Sequence, residues 1–391
     1  MKRFRTLLLT FGTSPHWKTG ATLLGILAGL LGSLYTDDIR NAFPFCCWWF
    51  GPFSYRAFSF WSAAIGASYM FFTAQRASDV RRAESEEKLA TRADELANLI
   101  RTLPPEDFLS TLGETYWRCD KMLATVRRAG ADLGVPELEK TIRAVLRGIG
   151  SLAQKFDAAT WGTVYAANVM LFRLPSFFRE DAVADLLARL RFREREVNIH
   201  ALYGVLDLDL ALSAAVSGEQ QENEGTLPDT ELRPLALPIP ALDATRGVGG
   251  KWRVLPGAPL AFVKAQQIEA PIVDLYADTS TLGKWCRDTG DFSPTVVQDL
   301  EGYFSGEAGA RVRGFASLPL RRHGGDQSII GVLNIHANRA DLLRSGAGQT
   351  STTEGTTPAA QFGFLIGPVL SILVQLVDLR SESAEAANAR S

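Results

Sequence analysis

Two uncharged apolar runs near the start of the chain, Thr19–Tyr35 and Ala57–Ala74, constrain it more than any other feature. They hold 17 and 18 residues. As helices rising 1.5 Å per residue, each covers roughly 26 Å, close to the about 30 Å of a bilayer's hydrocarbon core. The expectation is a two-span transmembrane hairpin over residues 19–74. A cleaved signal peptide is one competing reading, and the presence of a second run argues against it. A buried hairpin of a soluble core is another, but runs of about 10–14 residues are its usual length.

Charge sets the expected orientation. Lys2, Arg3, Arg5 and Lys18 precede the first run and Arg76, Arg81, Arg82 and Lys88 follow the second, while only Arg40 and Arg56 lie between them, with Asp37 and Asp38. Because basic residues stay on the cytoplasmic side, both termini are expected in the cytoplasm of a two-pass inner-membrane protein, with residues 36–56 outside. The outer turn carries Phe43, Phe45, Trp48, Trp49, Phe50, Phe53 and Tyr55, a set suited to an interfacial aromatic belt. Small residues recur every fourth position at Ala21, Gly25, Gly29 and Ser33, and at Ser59, Ala63 and Ala67. Such a stripe lets helix backbones approach closely. Packing of the two spans on each other is its first reading, and self-association its second.

Composition bounds the remainder. The chain has 391 residues and a net charge of −2, with basic residues scattered rather than striped, so a nucleic-acid surface is not expected. Cys46, Cys47, Cys119 and Cys286 have no metal-ligand spacing. They read as unpaired small apolar side chains.

From Gln75 to Leu103 the sequence lacks proline and glycine and spaces Leu89, Ala93, Leu96, Ile100 and Leu103 four and three apart. This predicts a helical stalk over 75–103, with pairing as a coiled coil in signal transduction as the accompanying expectation. Helices are predicted over Phe108–Arg128 and from Pro136 to about Phe156, with Leu138, Ile142, Val145, Leu146, Ile149 and Leu152 on one side. Strands are predicted over Val164–Phe172 and Val197–Ala215, with a short helix near Asp181–Phe192 between them. Gly218–Asp229 is polar and reads as a flexible loop. Farther on, Pro259–Lys264 and Pro271–Leu275 read as extended, and Pro294–Phe304 as a helix. Arg313–Arg322 and Ser328–Ala337 form a hairpin through Arg322-His323-Gly324-Gly325-Asp326. After a second polar stretch, Ser345–Thr357, an apolar helix spans Ala359–Leu379. It is uncharged up to Asp378, which raises a third membrane span; Gln361, Gly363, Gly367, Pro368 and Gln375 suit a helix packed on a sheet instead.

Ala316-Ser317-Leu318-Pro319-Leu320-Arg321, the turn, and Ile330-Gly331-Val332-Leu333-Asn334-Ile335-His336 resemble the last two strands of a GAF domain. Val164–Phe172 is similar to that family's first strand. Gly247–Phe262 is similar to the stretch where many members carry a glycine turn before a Pro-Leu strand. The resemblance covers about 140–380. It implies an antiparallel sheet with helices behind it and a ligand cavity on the other face; PAS-like sensor domains are the fold-level alternative. The expected fold class is therefore α+β: a basic N-terminus (1–18), a transmembrane hairpin (19–74), a stalk (75–103), a GAF-like sensor domain with N-terminal helices (105–380), and a polar tail (381–391).

Motifs for chemistry are missing. In Gly247-Val248-Gly249-Gly250-Lys251-Trp252 a phosphate loop would need glycine at Thr245 and Ser or Thr at Trp252; the segment reads as a turn. His16, His200, His323 and His336 stand in no ligand spacing with Cys or carboxylates, and no Gly-x-Ser-x-Gly elbow occurs. Cys286 lacks the neighbouring histidine of bilin-attaching relatives, a single domain cysteine does not match redox relatives, and the family's cyclic-nucleotide signature has no match. No enzyme activity, cofactor or metal is expected. Trp252, Phe262, Trp285, Phe292, Phe315 and Ser317 are the candidate lining of a ligand pocket, each with core packing as its plainer reading.

Only Ser381–Ser391 follows the last helix, so output is expected in the membrane helices or another protein. Two functions follow. In the first, the chain is a membrane-tethered regulatory sensor that binds a small molecule, or a protein partner or second copy, and passes its state to a separate output. In the second, the spans oligomerise through Gly25 and Gly29 and permeabilise the membrane when the sensor is occupied. The spans carry no polar stripe to line a pore.

Overall fold

The structure is a computed structural model that describes residues 15–41, 55–102, 104–130, 133–159, 162–177, 180–194, 198–216, 229, 232–267, 273–276, 278–322, 328–344, 350–351 and 357–390. It divides into two compact units, residues 1–99 and 100–391.

The first unit contains α1 (Pro15–Leu34), the short α2 (Thr36–Asn41) and most of α3 (Tyr55–Thr102). The second apolar run and the expected stalk are one continuous helix. No proline or glycine interrupts residues 67–103, so nothing in the backbone separates them. A Cβ built on Gly20 would stand 2.9 Å from Met70 Cε, one on Gly66 3.6 Å from Leu24 Cδ1, and one on Gly32 3.1 Å from a Phe60 ring carbon. The partners descend along α3 as they ascend along α1, so the pair is antiparallel. Its far end is pinned by the Trp17 indole, which donates to Met70 O at 3.3 Å and Thr73 Oγ1 at 3.1 Å.

That seam corrects the reading of the small-residue stripe. Gly20, Leu24, Ala28 and Gly32 face α3, and Ala21, Gly25, Gly29 and Ser33 lie one residue on, rotated by about 100° around the helix. Gly25 and Gly29 are exposed, with nothing within 4 Å of a Cβ built on either. Outward, too, stand Leu23, Ile26, Leu30, Leu34, Ile65, Phe71 and Phe72. Among the described residues, no single helix is long and apolar enough to cross a membrane; the apolar part of α1 is Thr19–Leu34. Leu89 and Ala93 of the expected heptad are exposed. The side chains of Leu96 and Ile100, residue Leu103, the aromatic turn from Phe43 to Phe53, and Cys46 and Cys47 lie outside the described residues.

The second unit is α+β. Its strands are β1 (Tyr165–Arg173), β2 (Leu202–Val216), β3 (Ala236–Pro240), β4 (Asp274–Tyr276), β5 (Gly314–Arg321), β6 (Ile329–Ala337) and β7 (Thr350–Ser351). They form one sheet in the order β3-β2-β1-β6-β5-β4-β7, every pair antiparallel. β6 approaches β1 so closely that a Cβ on Gly331 would meet Met170 O at 2.3 Å; only glycine fits there.

One face of the sheet carries the larger core. Ala167, Val169, Leu171, Leu318, Leu333 and Ile335 point into it. They meet α4 (Phe108–Ala129), α5 (Val135–Phe156), α11 (Pro358–Leu365) and α12 (Gly367–Arg390), with Phe108, Phe156 and Phe362 stacked edge to face at its centre. The six apolar residues that sequence placed on one side of α5 are all buried.

The last apolar helix is broken at Ile366, where Pro368 withholds a backbone donor, and α11 and α12 bend by 58°. As a pair, Pro358–Leu365 and Gly367–Ala387 reach the length and composition of a span. Their apolar residues Phe362, Ile366, Val369, Leu373 and Leu376 are fully buried in this core. Residues 381–390, expected as a tail, continue α12.

The other face meets α7 (Ala258–Gln267), α8 (Leu282–Asp288) and α9 (Pro294–Ser305) through Met170, Leu208, Tyr276 and Val332. Here the structure corrects a strand: Pro259–Lys264 is helical. Every residue from Ala258 to Ala265 is buried, Lys264 included, so the run has no exposed face and its sequence carries neither period. The strand β3 was not expected, because Pro238 and Pro240 argue against one; at the sheet's edge, a missing N–H costs no ladder bond. The Gly247–Trp252 turn is closed by the Gly247 N–H donating to Lys251 O at 2.7 Å, and an isolated bridge, not a strand, follows. α6 (Glu180–Arg189) and α10 (Glu307–Arg311) complete the unit. The turn residues 323–327 and the polar stretch up to residue 228 lie outside the described residues.

Candidate functional site

In an antiparallel sheet, directly opposed residues point to the same face. Asn168 opposes Ser213 and Asn334, Asn334 opposes Ser317, and Ser317 opposes Asp274. Five strands therefore contribute one polar residue each to a single row, Ser213–Asn168–Asn334–Ser317–Asp274, on the face that is otherwise apolar. His336 lies two residues along from Asn334 on that same face. Ser213, Asn168, Ser317, Asp274 and His336 are all buried.

These groups bind one another. Ser317 Oγ donates to Asn334 Oδ1 at 2.7 Å, Asn334 Nδ2 donates to Asn168 Oδ1 at 3.2 Å, and Asn168 Nδ2 stands 3.5 Å from His336 Nδ1. Burial pushes the His336 imidazole down to about 4, so near neutrality it is an uncharged ring with one donor and one acceptor. Ser213 accepts from the backbone N–H of Asp229 at 3.1 Å, and Asp229 meets Arg311 at 3.5 Å. Asp229, expected at the end of a flexible loop, is buried. Asp274 pairs with Lys264 at 3.3 Å and accepts from the Gly257 N–H at 2.7 Å. Desolvation raises its pKa, opposed chiefly by Lys264.

Local backbone irregularity shapes the place. β1 and β2 lose register between Asn168 and Met170, with residues 209–212 bulging opposite Val169. Arg380 of α12 holds that bulge to α5, donating to Glu139 at 2.6 Å and pairing with Asp209 at 2.8 Å. A bulge re-aims side chains at a sheet's working face. On the other side Gly257, at φ 87°, starts α7. A Cβ there would stand 2.6 Å from the Phe315 ring, so glycine lets the α7 entrance come down onto the sheet.

Between the row and the helices lies a cavity of ≈130 Å³. Asn168, Ser317, Asn334 and His336 form its polar end, and Met170, Leu208, Leu237, Leu255, Leu300, Phe304 and Phe315 are among its apolar walls. Phe315 and Ser317, of the six residues singled out in sequence, line it. Trp252, Phe262, Trp285 and Phe292 do not: they belong to the apolar packing of the same face. The Arg246 guanidinium covers Trp252 at 3.1 Å, Phe262 stacks on Phe172 at 4.5 Å, and Trp285 meets Tyr276 edge-on at 6.1 Å. Sequence reasoning missed Asn168, Asn334 and His336. Their signal was a polar side chain at a core position of a strand that is apolar elsewhere.

A more open depression of ≈410 Å³ lies beside β2 and α6. There Arg189 pairs with both Asp185 and Asp207, and Asp209 pairs with Arg380. Cys119 and Cys286 are buried, and burial pushes their thiols up to about 11 and about 12, away from the reactive thiolate. Among the described residues no group of three or more His, Cys, Asp or Glu could hold a metal ion. In the polar row, the Ser317 hydroxyl is turned to the Asn334 amide oxygen rather than to a base.

No protein-family model matches the chain, and no curated protein matches it.

Proposed function

We propose that the chain is a membrane-tethered regulatory protein whose GAF-like second unit, in the cytoplasm, binds a small molecule in the cavity above the polar row and passes its occupancy to a separate output. One observation carries this reading. A buried row of hydrogen-bonding side chains meets an apolar cavity in the middle of a helix–sheet interface, where close packing would be the cheaper arrangement. The GAF assignment rests on the strand resemblance, and a sheet with helices behind it and a cavity in front agrees with it. The tether is supported by the outward-facing Leu23, Leu30, Phe71 and Phe72 of the helical hairpin, an apolar surface that lipid would cover. The 16 residues of Thr19–Leu34 reach only about 24 Å, short of a usual span, so the proposed tether requires local thinning of the bilayer.

Fractionation of the full chain tests the tether. Membrane association that resists alkaline carbonate and yields to detergent is expected, with residues 100–391 protected from protease added outside the cell. Recovery in the soluble fraction without detergent contradicts the tether, and external digestion of the second unit contradicts the orientation.

The second reading, a self-associating and permeabilising hairpin, is favoured by one fact: Gly25 and Gly29 are open rather than engaged with α3. Gly25→Leu with Gly29→Leu would abolish dye leakage from vesicles carrying such a pore and leave a passive anchor unaffected.

A further inference from the structure

We propose that the cavity takes one uncharged, single-ring molecule carrying an amide-type edge, a carboxamide or ring lactam, whose N–H and C=O are met by Asn334, Ser317 and His336. This rests on the cavity being a ligand site and names the chemistry of its guest.

Size sets the ring count. An engineered cavity of about 150 Å³ holds benzene, and this one measures ≈130 Å³. Its walls, Met170, Phe304 and Phe315 among them, offer apolar surface to a ring's faces.

Hydrogen-bond direction sets the polar edge. Bonds run one way, from Ser317 to Asn334 and from Asn334 to Asn168, with the Asn168 amide toward His336 Nδ1. Each asparagine engages one of two N–H groups and one of two oxygen lone pairs in that chain, and Ser317 keeps its lone pairs. With Nδ1 turned to the Asn168 amide, the neutral His336 ring keeps Nε2 as its second hydrogen-bonding group, a donor or an acceptor according to the tautomer. Donors and acceptors are thus both left over on residues that line the cavity. An amide edge, one donor beside one acceptor, satisfies both; a carboxylate offers only acceptors and a hydrocarbon neither.

Charge excludes an ion. Arg233 at the cavity wall pairs with Glu307 at 3.2 Å, and Arg311, near His336, pairs with Asp229 at 3.5 Å. The Arg233–Glu307 pair stands in solvent, at 84% and 91% side-chain exposure, whereas Arg311 holds the buried Asp229 beside the polar end; a charged guest seated there would lose its hydration next to a cation that is already engaged.

The test uses the full chain in a mild detergent and three probes of one ring each: nicotinamide, nicotinate and toluene. Calorimetry and the thermal midpoint are the readouts. Nicotinamide is expected to bind saturably and raise the midpoint, with nicotinate and toluene at least ten-fold weaker. Asn334→Leu should weaken nicotinamide at least ten-fold and strengthen toluene. Should that variant fail to fold, Ser317→Ala tests the same edge with a smaller loss. Nicotinate binding as well as nicotinamide overturns the uncharged class, and toluene binding as well as nicotinamide overturns the amide edge; in both cases the cavity remains a ligand site. If none of the three binds the wild-type chain, the single-ring amide guest is overturned.

Discussion

His336 has its ionisation set by its surroundings. Desolvation holds its imidazole down at about 4, against 6.5 for the free side chain, with Asp229 pulling it up and Arg311 down by less. At pH 7 the ring is neutral whether the chain is folded or unfolded. As pH falls below about 6.5 the unfolded chain takes up the proton first, so stability is lost progressively until about pH 4, by about 3 kcal/mol in all. Asp274 and Asp157, both raised by desolvation, act in the opposite sense, so the wild-type slope alone does not isolate the ring. His336→Asn should remove this component: the stability difference between wild type and variant, from urea unfolding at pH 7 and pH 4, is expected to shift by about 3 kcal/mol against the wild type. A difference that stays constant with pH would contradict a buried, neutral His336.

At the scale of elements, the α1–α3 seam makes the sharpest prediction. Gly20→Leu and Gly32→Leu must displace Met70 and Phe60, whereas Gly25→Leu and Gly29→Leu enter open space. The first pair is expected to slow thiol crosslinking between cysteines placed at Leu24 and Gly66 at least several-fold, and the second pair to leave it unchanged. Equal effects would contradict the seam. The elements themselves were unevenly legible. β1, β5 and β6 could be read because strands covered on both sides are short, β-branched or aliphatic runs bounded by turn residues, and α5 because its six apolar residues repeat at helical spacing. The α7 segment could not be read, since burial on every side erases the period that separates helix from strand. β3 was hidden by its prolines, tolerated only because it lies at an edge. Four of the six expected pocket residues proved to be packing, because an aromatic side chain has the same identity in a wall as in a core. Of the polar row only Ser317 was singled out in sequence, and the row as a whole was hidden for another reason. Asn168, Asn334 and Ser317 lie far apart in sequence, and only the register of three strands brings them together.

For the whole molecule, two surfaces of opposite kind have to be explained together: an apolar hairpin that faces outward, and a sheet whose interior face carries buried polar groups around a cavity. The proposed function accommodates both, as a tethered receiver for a small guest with the polar row as its proposed recognising surface. Nitrogen-15 NMR of the four histidines in the full chain, with His336 assigned by its absence in His336→Asn, tests this most directly. The account predicts that the His336 ring stays neutral from pH 7 to pH 5 and that its resonances shift when nicotinamide is added, while the other histidines do not respond. A His336 that titrates near pH 6.5 and is indifferent to nicotinamide would contradict it.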